Sequence, residues 1–275
     1  MEKKAYFDVV FVVLVYKNID VLADFFVSLK LPYTYKVIVV NSFYDEESKS
    51  RCQMVANNND AVFIAVPNKG YSTGNNIGCK HALDNYDFKF LMVANSDVII
   101  HDFSYLSMIK NNRAVIAPDT KMITKKRQNP NIPFKSYLYL KLIEWSYRYD
   151  KPIYMTFAHI VNRVYREWVV LMTKILRIDL FKIFSAHGSF IIFTYQAAKD
   201  LFPIFNNKMF LYNEELFLAY NCKLHNIPLY YSRKLKLTHL EGASSTPSSN
   251  SWANHKQSYN ELLKWLDENK NTKRI

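Results

Sequence analysis

Between Tyr6 and Ala117 the chain sets out five short apolar runs rich in β-branched residues, FDVVFVVLVY, YKVIVVN, AVFIAV, FKFLMVANSD and RAVIAP, separated by longer mixed segments. A run that is apolar at nearly every position needs cover on both faces, which is the condition of a strand inside a parallel sheet. IDVLADFFVSL, DEESKSRCQMVANN and STGNNIGCKHAL, lying between the runs, read as the covering helices. The pattern predicts a βαβ series and an α/β fold with an open, doubly wound, mostly parallel sheet. Such sheets bind ligands beyond the carboxyl ends of their strands, so the chemistry is expected in the residues that follow each run.

From about Lys121 to Lys182 this rhythm stops. The segment carries thirteen Lys or Arg against four acids, with Trp and Tyr interleaved. Its apolar positions Val161, Val164, Tyr165, Trp168, Leu171, Met172 and Ile175 fall at helical spacing, and Arg163, Arg166 and Lys174 exclude a membrane-spanning helix. Two readings stand side by side: a basic amphipathic helix lying in a lipid headgroup layer, or a helical subdomain packed on the core with a solvated basic face. After Lys182 the sequence returns to HGSFIIFTY, a helix over Gln196 to Phe202, NEELFLAYNCKLH, and the strand-like IPLYYS and LKLTHL. Residues 244–275 read as a mobile Ser/Thr-rich loop followed by a C-terminal helix around SYNELLKWLDENK. Residues 1–275 are thus expected to form one catalytic domain with a basic aromatic insert at 121–182.

The net charge of +12 calls for a polyanionic partner: nucleic acid, an anionic membrane or a phosphorylated small molecule. No compact recognition motif or stacking platform for nucleic acid is present, and that partner is not expected. Cys52, Cys79 and Cys222 are scattered and lack metal-ligand spacing, which fits a reducing compartment. MEKKAYFDVVFVVLVY has a basic start and an apolar run, but Asp8 interrupts the run and no small-residue cleavage site follows. It reads as the buried first strand of a cytoplasmic protein.

Four stretches carry candidate chemistry. PNKGYSTGNNIG holds Gly70, Gly74 and Gly78, three of the five glycines in the chain, spaced four apart. Glycine at a helix start lets the backbone approach a ligand, and the free N–H groups there favour phosphate; a tight turn with close helix packing would need Gly74 and Gly78 as well. In VANSDV, Asn95 and Asp97 end a strand and suit a hard divalent cation that keeps waters and phosphate oxygens, although Asn-Ser-Asp is also an ordinary turn. NEEL places Glu214 and Glu215 on consecutive helical positions, about 100° apart, so they cannot act as one symmetric pair. A helix start also favours acids for its dipole. His239 closes LKLTHL.

Taken in this order and spacing, the stretches resemble the family 2 glycosyltransferases of GT-A fold, in particular the rhamnosyltransferase-like branch that builds bacterial surface polysaccharides. The resemblance covers nearly the whole chain except the basic insert. It implies a donor pocket formed by Asn68, Gly70, Asn75 and Gly78, with Asn41 and Asp45 where relatives contact base and ribose. Asp97 matches the metal-binding carboxylate, with Asn95 beside it and His239 completing the metal or diphosphate site. Glu215 matches the general base; a glutamate there reaches one methylene further than the family's usual aspartate, so Glu214 stays an alternative. The reaction implied is inverting, dependent on a divalent cation (Mn²⁺ or Mg²⁺), and moves a sugar from a nucleotide-diphosphate sugar to a saccharide or lipid-linked saccharide acceptor. Its setting would be the inner face of the cell membrane, with peripheral contact and no nucleic acid.

The sequence departs from the family at VVNSFYDEES, where relatives have Asp-Asn-x-Ser-x-Asp, and at LAYNCKLHNIP, which lacks the usual Arg and Gly. A nucleotidyltransferase on a similar sheet would need a glycine-rich, basic loop straight after the first strand, and VYKNIDVL has no glycine. A non-catalytic nucleotide-sugar-binding relative would keep the pocket and lose the base.

Overall fold

The computed structural model describes residues 4–17, 19–240 and 251–270; the small-residue loop expected from residue 244 lies outside the described residues as far as 250. Strand β1 (Ala5–Val15) is the spine of the molecule. Its side chains alternate between two cores: Val9, Phe11, Val13 and Val15 point to one, Val10 and Val12 to the other, all of them buried. This is the two-faced burial that an unbroken apolar run requires.

The remaining strands are β2 (Tyr35–Phe43), β3 (Val62–Pro67), β4 (Tyr86–Asn95), β5 (Val98–Asp102), β6 (Val115–Met122), β7 (Leu180–Lys182), β8 (Phe190–Thr194) and β9 (Leu229–His239). They form a nine-stranded sheet in the order β3-β2-β1-β4-β8-β6-β9-β5, with β7 on β9. The strands from β3 to β4 are all parallel, as their apolar runs predict. β8 then enters antiparallel between β4 and β6. The two strand candidates IPLYYS and LKLTHL are one strand, β9, whose pairing with β6 shifts register after Ser232.

Helices α1 (Asp20–Ser28) and α2 (Glu46–Asn58) cover one face through Leu22, Phe25, Cys52 and Ala56. The other face is covered by α3 (Tyr71–Asn85), α6 (Tyr195–Leu201) and α7 (Glu214–Leu224) through Cys79, Ala82, Leu201 and Leu218. The basic segment folds as α4 (Tyr137–Arg148) and α5 (Pro152–Ile175), packed on each other, and α8 (Ser251–Glu268) packs against α7. Tyr139, Ile143, Ala158, Phe217, Tyr259 and Leu262 give this helical layer an apolar core of its own. The insert therefore does pack on the body. The face it buries differs from the stripe read in the sequence: Ala158, Asn162, Val169, Val170 and Thr173 point inward, while Val164, Trp168, Leu171 and Ile175 are exposed. An alternating pattern of small and large apolar residues gives α5 two apolar faces, and the smaller side chains allow the closer approach. None of the helices, among the described residues, is long and apolar enough to cross a membrane. All three cysteines are buried and unpaired.

Candidate active site

Parallel strands end on a common edge, so Asn41, Asn68, Asn95 and Asp97 all emerge on one side of the sheet. The antiparallel β8 begins where β4 ends: Phe190 pairs with Ala94, and the Asn95 N–H donates to the Ser189 carbonyl at 2.9 Å. The chain direction of β8 thus delivers His187, Gly188 and Ser189 to the same edge. β9 runs parallel to β6 and arrives there with its last residue, His239, opposite Met122 on one side and Val98 on the other.

Asp97 and His239 are both buried, with Asp97 Oδ1 3.0 Å from His239 Nε2 and the Asn95 amide nitrogen 3.5 Å from the same ring atom. The other ring nitrogen, Nδ1, meets the Gln128 amide oxygen at 3.0 Å. If Nδ1 carries the proton donated to Gln128, Nε2 turns a lone pair toward the Asp97 carboxylate, and a cation can be held between the two. The donor set fits a hard divalent ion that takes its other ligands from water and phosphate oxygens. Among the described residues no group of three or more His, Cys, Asp or Glu side chains offers a closed metal cage. His187 stacks edge-on to His239 with ring centroids 6.0 Å apart, and burial, aided by His239, holds its pKa down at about 3.

The acid pair reaches this edge from α7. Tyr212 and Asn213, just before the helix, both have left-handed backbone, at φ 75° and 62°. Two such residues in a row are unfavourable unless the surroundings impose them. α8 does so: the Tyr212 ring stacks on His255 at 3.7 Å, the Asn213 amide donates to the His255 carbonyl, and the Ser258 hydroxyl donates to the Leu211 carbonyl. Glu215 then accepts the Gly188 N–H at 3.2 Å, while the Ser185 hydroxyl donates to its carbonyl. Burial raises the pKa of both glutamates, most strongly for Glu214, where the Glu215 charge adds to the effect. The two differ in access: Glu214 is sealed, with Oε1 lacking any hydrogen-bond partner, whereas Glu215 is half-buried.

The glycine-rich stretch joins the same assembly. The Asn68 side chain accepts the Gly70 N–H and sets the turn into α3. Gly70 sits at φ 94°, and a Cβ there would lie 2.2 Å from the Phe210 carbonyl oxygen. That carbonyl accepts the Tyr71 N–H at 2.8 Å, and the Tyr71 hydroxyl donates to the Gly188 carbonyl at 2.6 Å. The stretch therefore braces both the loop before Glu214 and the segment that holds Glu215. Asn41 and Asn75 are buried, each with a carboxamide oxygen that has no partner in the protein, and Ser72 has a hydroxyl in the same condition. Like Glu214 Oε1, these acceptors are closed to solvent as well as unpartnered.

Two of the expected donor residues have other places. A Cβ at Gly78 would come within 2.4 Å of Val12 and 2.8 Å of Val40, so this glycine serves helix-to-sheet packing. Asp45 is exposed and caps α2 in a reciprocal box with Ser48. Several contributors were not read from the sequence: Tyr71, Gln128, Asn129, His187, Gly188 and Ser189. Asn129 accepts the His187 N–H at 2.8 Å. The signal available was Gly188, one of only five glycines, placed two residues before a strand. Arg166 also enters this neighbourhood from α5: its charge acts on His187, and its Nε is buried without a hydrogen-bond partner. A separate cavity of about 450 Å³ between α1 and β5 is lined by none of these residues.

No protein-family model matches the sequence, and neither does any curated protein. Solved structures do resemble it. The S. aureus protein TarS superposes over 95% of this chain and 39% of its own, with a TM-score of 0.57 and 14% identity. The structure of GalNAc-T7 with UDP, GalNAc and Mn²⁺ superposes over 96% of this chain and 50% of its own, with a TM-score of 0.59 and 10% identity. Both neighbours are glycosyltransferases. The chain spans half or less of the length of each. At these identities the likeness is one of fold: an α/β molecule with a GT-A-like central sheet flanked by helices.

Proposed function

We propose that the protein is an inverting glycosyltransferase that moves a sugar from a nucleotide-diphosphate sugar to a saccharide acceptor, one carried on a lipid. The observation that carries this reading is the gathering of Asp97, His239 and Glu215 around the single segment His187–Ser189, although the sequence keeps them far apart. A GT-A-like neighbour that holds UDP, GalNAc and Mn²⁺ supports the donor class and the cation.

Asp97 and His239 would hold the divalent cation, Mn²⁺ or Mg²⁺, which when bound offsets the charge that develops on the departing nucleotide diphosphate. Asn41, at the end of β2, and Asn75, in the second turn of α3, would stand on the donor side of the site. Glu215 is the base. One of its oxygens is pinned by the Gly188 N–H, which leaves the other to take the proton of the acceptor hydroxyl as that oxygen attacks the anomeric carbon. A raised carboxylate pKa strengthens it for this task. Attack from the face opposite the leaving group inverts the anomeric centre. Glu214, sealed and favouring its neutral form, holds no position from which to take that proton.

A panel of nucleotide sugars, with and without Mn²⁺ or Mg²⁺, tests the reading by thermal stabilisation and by release of free nucleotide diphosphate. One metal-nucleotide pair that stabilises the protein and yields nucleoside diphosphate is expected. Release of pyrophosphate would instead identify a nucleotidyltransferase.

A further inference from the structure

We infer that α5 docks the protein onto an anionic lipid bilayer through its outward face. Phe157, Ile160, Val164, Trp168, Leu171 and Ile175 recur every three or four residues and are each between 51% and 64% exposed. At 100° per residue they fall within one narrow stripe, roughly 25 Å long at 1.5 Å per residue. No polar residue interrupts it. The opposite side of α5 is already committed: the Asn162 amide donates to the Asn131 carbonyl at 2.6 Å, and Ala158, Val169 and Thr173 are buried. The stripe is therefore a second apolar face on a helix whose first is used, which is uncommon on a surface without a partner.

Charge selects the occupant. Arg163 and Lys174 border the stripe, and Lys151 and Arg177 stand at the two ends of the helix, all exposed. Glu167 is the one acid within α5, and it faces Arg166 at 3.7 Å. Two copies pairing stripe to stripe would bring Arg163 and Lys174 together with only Glu167 on the same rim to match them, whereas anionic headgroups supply the missing countercharge. Aromatic rings complete the pattern of an interfacial helix: Trp145 and Tyr149 pack on Tyr154 near one end, and Phe134 packs on Trp168 toward the other. The inference deepens the lipid-linked acceptor of the proposed function, but it stands on the stripe and its rim alone.

The test is sedimentation of the full chain with vesicles of phosphatidylcholine, with and without about one third phosphatidylglycerol. Binding is expected only with phosphatidylglycerol and should weaken as salt rises. Val164→Glu combined with Leu171→Glu should lose about tenfold or more of the partitioning with an unchanged melting temperature, because both side chains already face water. Lys174→Glu should lose about fivefold or more. Equal binding by the stripe variant overturns the inference, as does a protein that ignores vesicles and forms a dimer broken by Val164→Glu. Nucleotide-sugar hydrolysis in vesicle-free buffer, measured on the parent chain, separates the two readings: a parent that hydrolyses donor but ignores phosphatidylglycerol vesicles sinks the docking face alone, and a parent that binds the vesicles without hydrolysis sinks the reaction alone.

Discussion

At the scale of single residues, the two neighbouring glutamates are given different work by their surroundings. Glu215 keeps partial access and one pinned oxygen, so Glu215→Gln should reduce transfer by about 10²- to 10⁴-fold, the usual worth of a positioned base, with little change in nucleotide affinity. Because burial raises its pKa, activity should climb with pH through a value above the ordinary glutamate range, and that limb should vanish in the variant. A rate profile that keeps the limb would move the base elsewhere. Glu214 speaks to stability instead. A carboxyl whose folded pKa exceeds its unfolded one holds its proton more tightly in the native state, so stability is complete at low pH and declines as pH rises toward the folded value. Glu214→Gln replaces the titrating carboxyl with a neutral amide, and the ligand-free melting temperature should fall less steeply from mildly acidic to mildly alkaline pH than in the parent. Parallel slopes would show that Glu214 is not the source.

At the scale of elements, α3 is held against the sheet by the absence of side chains. Gly78→Ala gains about 1 kcal/mol of helix propensity, but its methyl must displace Val12 and Val40, β-branched residues fixed on two adjacent strands, and such overpacking costs about 1–3 kcal/mol. The packing term should win, and thermal unfolding should show a melting temperature lower by a few degrees; a stabilised variant would refute the contact. The same stretch shows how far sequence reading carries. The strands β1 to β4 and helices α1 to α3 were legible because runs buried on both faces and their covering helices leave periodicities that local physics imposes. β8 was not placed, since FIIFT reads alike in either direction and only tertiary pairing turns it antiparallel. The outward face of α5 stayed open between two readings for a related reason: periodicity reports that an apolar stripe exists, while the opposing residues decide which face packs.

At the scale of the whole molecule, the candidate site is a product of topology. Asp97 and His239 were legible as residues with the right chemistry after strands. Their union with Glu215 was expected only from the family resemblance, because in the fold it depends on His187–Ser189, whose position follows from the direction of β8. A ligand that binds the native chain at Asp97 and His239 adds its binding free energy to global stability. At a hundred times its dissociation constant a nucleoside diphosphate adds about 2.7 kcal/mol, which for a chain of this size is a rise of roughly 5–10 °C. With Mn²⁺ present, the parent and Glu215→Gln should both show this rise, since the base does not hold the nucleotide. Asp97→Ala, and the parent in EDTA, should show little of it. An equal rise for Asp97→Ala would mean that the nucleotide is held without this carboxylate, and the cation assignment to Asp97 and His239 would have to be abandoned.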